Sequence, residues 1–187
     1  RYYKRTGESP PHARMTIRFQ NHYELAYLCR RMLGRVRLAD DFDDFIRSQD
    51  LGPDALNDGL NADAFVSLLN ERRGCVKSLL MNQCAVAGIG NVYSDEILFQ
   101  SRMHPETRCE ALDESRSRAL HRNLRRVLST AIERDAEPSE FPDSWLLHAL
   151  QEDGEQPRCP VCHGRIERID VAGRRAHLCP DCQSHRE

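Results

Sequence analysis

The sequence lacks three features, and each absence excludes a class of protein. It has no run of apolar residues long enough to cross a bilayer, so we expect a cytoplasmic protein. It has no strong charge imbalance, because 27 Lys and Arg stand against 29 Asp and Glu and leave a formal net charge of −2. Any nucleic-acid partner must therefore be bound by a local cluster of positive charge. Its cysteines are not distributed as in a secreted disulfide scaffold.

The composition that remains is that of a globular protein, with 40% hydrophobic and 30% charged residues over 187 positions. Residues 13–19 alternate between apolar and polar, which predicts a strand with Met15, Ile17 and Phe19 on one face. A return strand is predicted at residues 23–28 and a third short strand at residues 34–38. Three strands make a poor core alone, so we expect them to be part of a larger sheet.

After Asp40 the pattern becomes helical. Helices are predicted over residues 40–49, over 61–74 with an Asn61 cap and a Gly74 stop, over 76–83, and over 113–135 with Asp113 as N-cap. The last helix has apolar residues at 3.6-residue spacing, namely Leu120, Leu124, Val127, Leu128, Ala131 and Ile132. The same helix has a basic face, which we expect to be exposed to solvent rather than in contact with DNA: Arg118, His121, Arg122, Arg125 and Arg126. The two prolines after it predict a linker.

The eight cysteines fall into two groups. Four are isolated, and we expect them to be small buried apolar side chains: Cys29, Cys75, Cys84 and Cys109. The others form two tight pairs separated by 16 residues with a hairpin pattern that turns at Val171–Gly173: Cys159 with Cys162, and Cys179 with Cys182. This spacing brings four thiolates to one tetrahedral ion and predicts one closed structural Zn²⁺ site, with His163 and His177 not needed as ligands.

The tip of that hairpin carries two adjacent arginines, Arg174 and Arg175. Arginines on a rigid turn suit contact with phosphate or with a minor groove. An exposed polar turn with no partner is the alternative.

Residues 86–98, VAGIGNVYSDEIL, place two glycines and an asparagine ahead of an amphipathic run. The Lys-Ser/Thr pair of a P-loop is absent, and the preceding residues are helical rather than a strand, so neither nucleotide-binding motif fits. A helix, a glycine turn and a second helix can present backbone N–H groups and the Asn91 amide to a phosphate, with Lys77 adding charge. A purely structural turn is the alternative.

Three stretches together resemble the formamidopyrimidine-DNA glycosylase and endonuclease VIII family. Residues 76–105 resemble its helix–two-turn–helix signature, residues 159–183 its C-terminal zinc finger, and residues 18–38 the end of its N-terminal β-sandwich. The resemblance implies an α+β fold: a sandwich remnant at residues 1–40, a mainly α-helical helix–two-turn–helix domain at 41–137, a linker with a short helix at 138–155, and a β-hairpin zinc finger at 156–187. It implies a monomer associated with the bacterial nucleoid.

The family removes oxidised bases of the formamidopyrimidine and 8-oxoguanine type from double-stranded DNA and cuts the strand by β,δ-elimination. The resemblance implies phosphate contacts for Lys77, Asn91 and Arg174, and we expect Gly88, Gly90 and Arg175 to bind DNA as well. Arg31 matches the arginine that reaches the base opposite the lesion. Leu33 matches the aromatic wedge that fills the vacated stack, where the family often has Phe, and leucine can still act there as an apolar wedge.

The family's catalytic N-terminal proline and glutamate do not match Arg1 and Tyr2, so no catalytic residue is assigned in this chain. We expect the chain alone to be inactive and to depend on an N-terminal catalytic domain. Two other hypotheses stay open: a non-catalytic zinc module that binds damaged or bent DNA, and a zinc ribbon that binds protein.

Overall fold

The computed structural model describes residues 2–4, 9–32, 34–150 and 157–184, with only the backbone of 2–4. The chain divides into two compact units, Arg1–Phe45 and Ile46–Glu187. Within the described residues, six α-helices and two antiparallel sheets confirm the predicted α+β class. In the part of the chain that the structure describes, no helix is both long and apolar enough to span a membrane.

The first unit holds a three-stranded antiparallel sheet with the order β1-β3-β2. Its strands are β1 (Tyr2–Lys4), β2 (Ala13–Arg18) and β3 (Tyr23–Leu28). The predicted apolar face of β2 is open to solvent, with Ile17 43% exposed. The predicted strand at residues 34–38 is wrong, because the described residues there have no regular structure. Both edges of β3 are already occupied, one by β1 and the other by β2.

The predicted acidic helix is α1 (Phe42–Arg47), which spans the boundary between the units. The second unit contains the remaining elements: α2 (Ala62–Asn70), α3 (Val76–Met81), α4 (Asn91–Gln100), α5 (Glu114–Glu133), α6 (Leu146–Ala149), β4 (Glu167–Val171) and β5 (Arg174–Leu178). Helix α5 packs against both α2 and α4, and its buried leucines form the centre of the main apolar core.

Two predicted caps are confirmed. Asn61 Oδ1 accepts the Ala64 N–H at 3.0 Å, and Asp113 Oδ1 accepts the Arg116 N–H at 2.7 Å. Each satisfies a donor that the first turn of a helix cannot pair. Helix α2 ends at Asn70, four residues before the predicted glycine stop.

The basic face of α5 is largely tied to its own unit. Arg118 bonds to Glu114 and Asp63, and Arg126 donates to Gln100 Oε1. His121 is buried and bonds to the Leu60 carbonyl. Ile132, on the predicted apolar face, is 66% exposed, although the adjacent Ala131 belongs to the main core.

The segment after α5 is packed rather than extended as a linker. Phe141 and Trp145 are each 5% exposed, and their rings lie 5.0 Å apart within the main core. The prolines therefore shape a fixed connection, including a short 3₁₀ turn at Pro138–Glu140.

The zinc-finger segment is joined to the helices by a second apolar cluster. Phe99, Leu146, Cys159 and Cys179 form its buried members. Gln183 is fully buried, accepts the Cys179 N–H and donates to the Met103 carbonyl. The hairpin of β4 and β5 therefore has a fixed position on α4.

Candidate nucleic-acid interface and metal centre

The four paired cysteines lie together, as their spacing predicts. All four sulfurs are within 4.8 Å of one another, with Cys159 Sγ 3.8 Å from Cys182 Sγ and Cys162 Sγ 3.4 Å from Cys179 Sγ. A tetrahedral zinc with Zn–S bonds of about 2.3 Å has sulfurs about 3.8 Å apart. A disulfide needs sulfurs only about 2 Å apart. The donor set and its spacing therefore fit one structural zinc ion.

The buried Cys179 thiol of this cluster needs a cation to be held as a thiolate. Burial raises the pKa of the Cys179 thiol to about 11, so at neutral pH it carries its proton unless a dication replaces it. Among the described residues the potential ligands here are these four cysteines, and neither His163 nor His177 belongs to the group.

Tight backbone turns form the two cysteine knuckles. The Val161 N–H donates to Cys159 Sγ at 3.4 Å, and the His163 N–H donates to the Cys159 carbonyl. A Cβ at Gly164 would lie 2.3 Å from Asp181 Oδ2, so a larger residue there would require the Asp181 side chain to move.

The hairpin turns at two residues, Ala172 (φ 49°) and Gly173 (φ 74°), as the sequence predicts. Both positive φ angles are those of the primed turn that suits a two-residue hairpin. Arg174 and Arg175 follow as neighbours in β5 and are both exposed. Because side chains alternate along a strand, they point to opposite faces of the hairpin. They therefore do not form the side-by-side pair that adjacency in sequence suggests.

The glycine turn between α3 and α4 is closed by a side chain that the sequence analysis did not single out. Gln83 Nε2 donates to the Ile89 carbonyl at 2.7 Å, and Gln83 Oε1 accepts the Gly88 N–H at 3.0 Å. Gly88 has φ +95°, which L residues rarely adopt. Gly90 has an ordinary φ of −97°, and a Cβ there would meet nothing within 4 Å.

Helix α4 begins directly after Gly90, and no side chain caps its N-terminus. Its free N–H groups and partial positive charge suit an anion. Asn91 Nδ2 donates to the Arg175 carbonyl at 2.9 Å, which connects the start of α4 to the hairpin. The amide has two N–H groups, so this bond leaves one free to donate elsewhere.

Lys77 is almost completely buried, with 1% of its surface exposed. Its Nζ donates to Ser94 Oγ at 3.0 Å and to Asp95 Oδ1 at 2.5 Å. Lys77 is expected from the sequence to add an available charge, whereas the structure places it in a buried ion pair. It still lines a cleft of about 200 Å³, together with Arg174, Ser78 and Asn82.

Two further carboxylates on α4 are buried. Asp95 Oδ2 accepts the His177 N–H of β5 at 3.0 Å. Glu96 accepts the Leu147 N–H at 2.9 Å and so caps α6. Burial raises the pKa of Glu96 to about 7. Neither residue was predicted as part of the site. The sequence signal for them is two adjacent acidic residues, four and five positions after Asn91, in a largely apolar segment.

The other predicted DNA-contact residues lie in the first unit. Arg31 is exposed in the turn after β3, next to Met32 with φ 56°. Leu33, the predicted wedge, lies outside the described residues.

The isolated cysteines are not uniformly buried. Cys109 is buried, and burial raises the pKa of its thiol to about 11. Cys84 is exposed, and Cys29 and Cys75 are partly exposed, so the prediction of burial is wrong for Cys84. Cys84 lies in the turn after α3 rather than on a helix face that packs on the core.

Comparison with known proteins agrees with this arrangement. The model of the formamidopyrimidine-DNA glycosylase H2TH domain matches residues 51–143. The formamidopyrimidine-DNA glycosylase of Streptococcus pneumoniae is 30% identical over 195 residues, which cover 97% of this chain and 70% of that protein. The chain belongs to the formamidopyrimidine-DNA glycosylase family.

Other members of the formamidopyrimidine-DNA glycosylase family agree in sequence and structure. The Thermomicrobium roseum enzyme is 38% identical over 172 residues, which are 88% of this chain and 60% of that protein. Lactococcus lactis Fpg, solved in complex with DNA containing an abasic site, superposes with a TM-score of 0.82 at 27% identity over 99% of this chain and 71% of that one. The Thermus thermophilus MutM (Fpg) structure gives a TM-score of 0.75 at 31% identity, over 96% of this chain and 71% of that one. The chain thus spans less than two thirds of the Thermomicrobium relative.

Proposed function

We propose that this chain forms the DNA-holding part of a base-excision-repair DNA glycosylase and AP lyase. The whole protein would remove oxidised bases of the formamidopyrimidine and 8-oxoguanine type and cut the strand by β,δ-elimination. The observation that carries the proposal is the cleft shared by Lys77 and Arg174, together with the Asn91 amide, which bonds to the carbonyl of the adjacent Arg175. We call Lys77, Asn91 and Arg174 the phosphate clamp.

Besides the Lys77 ammonium, the clamp and the helix start beside it offer three kinds of phosphate donor within one unit. Arg174 offers a charged fork, Asn91 an amide N–H, and the start of α4 its unpaired backbone N–H groups. Gly90 has no side chain above this helix start, so a phosphate can approach the backbone closely. These contacts position DNA without reading its sequence.

The remaining roles follow from family membership. Arg31 is proposed to reach the base opposite the lesion, and Leu33 to fill the space of the extruded nucleotide as an apolar wedge. One Zn²⁺ on the four cysteines would hold the hairpin's shape, because a closed four-thiolate site leaves no position for a substrate. The proposal gives the described residues the task of holding DNA rather than breaking bonds. The protein is proposed to act as a monomer in the bacterial nucleoid.

The test is binding of the full-length protein to a duplex with an abasic-site analogue, measured over a range of salt concentrations. Affinity is expected to fall steeply with salt, because each neutralised phosphate releases counterions. Arg174→Ala is expected to weaken binding by more than about tenfold, the value of a charged hydrogen bond. Arg175→Ala is the matched control, since it removes the same charge from the opposite face of the strand, and it is expected to weaken binding by less than about threefold.

Base excision and strand-cleavage products are measured in parallel on duplexes with oxidised purines. Binding that does not depend on salt, or equal losses for both arginine variants, would refute the clamp. Salt-dependent binding without any excised base would support a DNA-binding module instead.

A further inference from the structure

A buried carboxylate lies between the parts of the proposed clamp without being one of its phosphate donors. Asp95 is 2% exposed, and both of its oxygens have partners. Oδ1 accepts from the Lys77 ammonium of α3, and Oδ2 accepts from the His177 backbone N–H of β5. Oδ2 also lies 3.5 Å from His177 Nδ1. A single side chain thus connects α3, α4 and the zinc-finger hairpin.

The first contact determines where the Lys77 ammonium points. An ammonium has three N–H donors, and Asp95 and Ser94 accept two of them. Within the described residues the third N–H has no protein acceptor, and Lys77 lines the cleft that it shares with Arg174. Ser94 Oγ is itself fixed, because it donates to the Asn91 carbonyl at 2.7 Å. The ammonium is therefore held by two acceptors with one donor left for a ligand.

The second contact fixes the strand that carries Arg174. His177 lies three residues after Arg174 in the same short strand, and its N–H bond to Asp95 holds that strand on α4. The Asn91 bond to the Arg175 carbonyl is a second link between the same two elements. Two bonds one turn apart on α4 prevent β5 from sliding along the helix.

We infer that Asp95 is a positioning residue that holds the Lys77 ammonium and the Arg174 strand in the spacing that a DNA phosphate requires. This inference rests on the proposed function. Asp95 touches no substrate in this scheme and acts through Lys77 and β5.

A positioning role and a simple charge effect predict opposite results. If Asp95 only reduced the positive field of the clamp, its removal would leave Lys77 uncompensated and strengthen phosphate binding. If Asp95 orients Lys77, its removal frees the ammonium and weakens binding, although the protein becomes more positive. The sign of the change in affinity therefore separates the two roles.

The experiment compares Asp95→Asn with wild type in the full-length protein, using an abasic-analogue duplex. Asn keeps the size of the side chain and one oxygen acceptor but loses the charge. Affinity is expected to fall about tenfold, and the slope of log affinity against log salt to decrease by about 1, the signature of one lost phosphate contact. Zinc content is expected to stay at one ion per chain. Glu133→Gln, which removes one exposed negative charge at the end of α5, is the matched control and is expected to bind as wild type does.

Lys77→Met and the double variant Lys77→Met/Asp95→Asn complete the test, because the double variant buries no unpaired charge. Its affinity is expected to match that of Lys77→Met within about twofold, because Asp95 acts through the lysine. If Asp95→Asn is too unstable to assay, Asp95→Glu takes its place, since it keeps the charge and displaces the carboxylate; affinity is again expected to fall.

Unchanged or tighter binding by Asp95→Asn, or unchanged binding by Asp95→Glu, would overturn the inference. If Arg174→Ala weakens binding and the Asp95 variants do not, only the inference fails. If wild type shows no salt-dependent binding, the proposed function fails and the inference with it.

Discussion

The glycine turn and the zinc hairpin serve the same proposed clamp but are held in place by different means. The turn is fixed by Gln83, by the positive φ of Gly88 and by a large apolar core beneath it. The hairpin has few buried apolar side chains and depends on four sulfurs gathered at one point. A short segment without a core of its own needs a metal to fold, whereas a helical pair on a core does not.

Removal of one zinc ligand is expected to cause the largest loss of stability and to unfold only the hairpin. Cys159→Ser removes a thiolate from the closed site, and a structural zinc contributes on the order of 10 kcal/mol to the folding of such a segment. Metal analysis is expected to find about one zinc per chain in wild type and almost none in the variant. Far-UV circular dichroism is expected to keep its helical signal, because α2 to α5 pack on a separate core.

The contrast depends on that separation. Loss of the helical signal together with zinc would show that the two regions fold as one cooperative unit. Retention of zinc in Cys159→Ser would contradict the assigned ligand set.

The sequence predicted the two regions unequally. The cysteine spacing predicted the sulfur cluster, and the hairpin pattern between the two pairs predicted a turn at Val171–Gly173, because both depend on local chemistry that few alternatives share. Local signals also predicted the Asn61 and Asp113 caps correctly. The opposite faces of Arg174 and Arg175 follow from side-chain alternation along β5, which is a local property of the strand.

Long-range pairing is what the sequence did not show. A lysine is usually exposed, so burial of Lys77 is not expected from the sequence. Only the folded chain shows that Asp95, 18 positions later, accepts a hydrogen bond from the Lys77 ammonium. Phe141 and Trp145 lie among prolines and acidic residues, so the segment was predicted as a linker, whereas two aromatic rings were sufficient to pack it into the core.

Protonation of the buried Glu96 carboxylate is expected to stabilise the helical region, whereas zinc is expected to stabilise the hairpin. The pKa of Glu96 is raised from 4.5 to about 7 by burial. A carboxyl group whose folded-state pKa exceeds its unfolded value binds more protons when folded, so stability is present below pH 4.5 and is lost as pH rises to about 7. The expected loss is about 3 kcal/mol in the free energy of unfolding.

Urea unfolding of the zinc-loaded protein, followed by the helical signal from pH 5 to pH 8, measures this loss. Glu96→Gln removes the titrating group and is expected to flatten the pH dependence, while Glu133→Gln, an exposed control, keeps it. Stability that rises over this range in wild type would show that Glu96 is ionised and well paired in the fold.

The smallest expected effects come from two glycine variants of the turn, one that strains the backbone and one that blocks the approach of a phosphate. Gly88→Ala places a side chain at φ +95°, where an L residue is strained, and is expected to lower the free energy of unfolding by about 1–2 kcal/mol. Gly90→Ala has an ordinary φ of −97° and open space around the new Cβ, so the expected loss is about 0.5–1 kcal/mol, the preference for Gly over Ala at a helix N-cap. Its Cβ would nevertheless stand above the start of α4, so binding of the abasic-analogue duplex is expected to weaken.

Chemical denaturation and DNA titration of the two variants measure these effects separately. If Gly90→Ala binds DNA as tightly as wild type, no phosphate approaches the helix start, and the turn is required for folding alone.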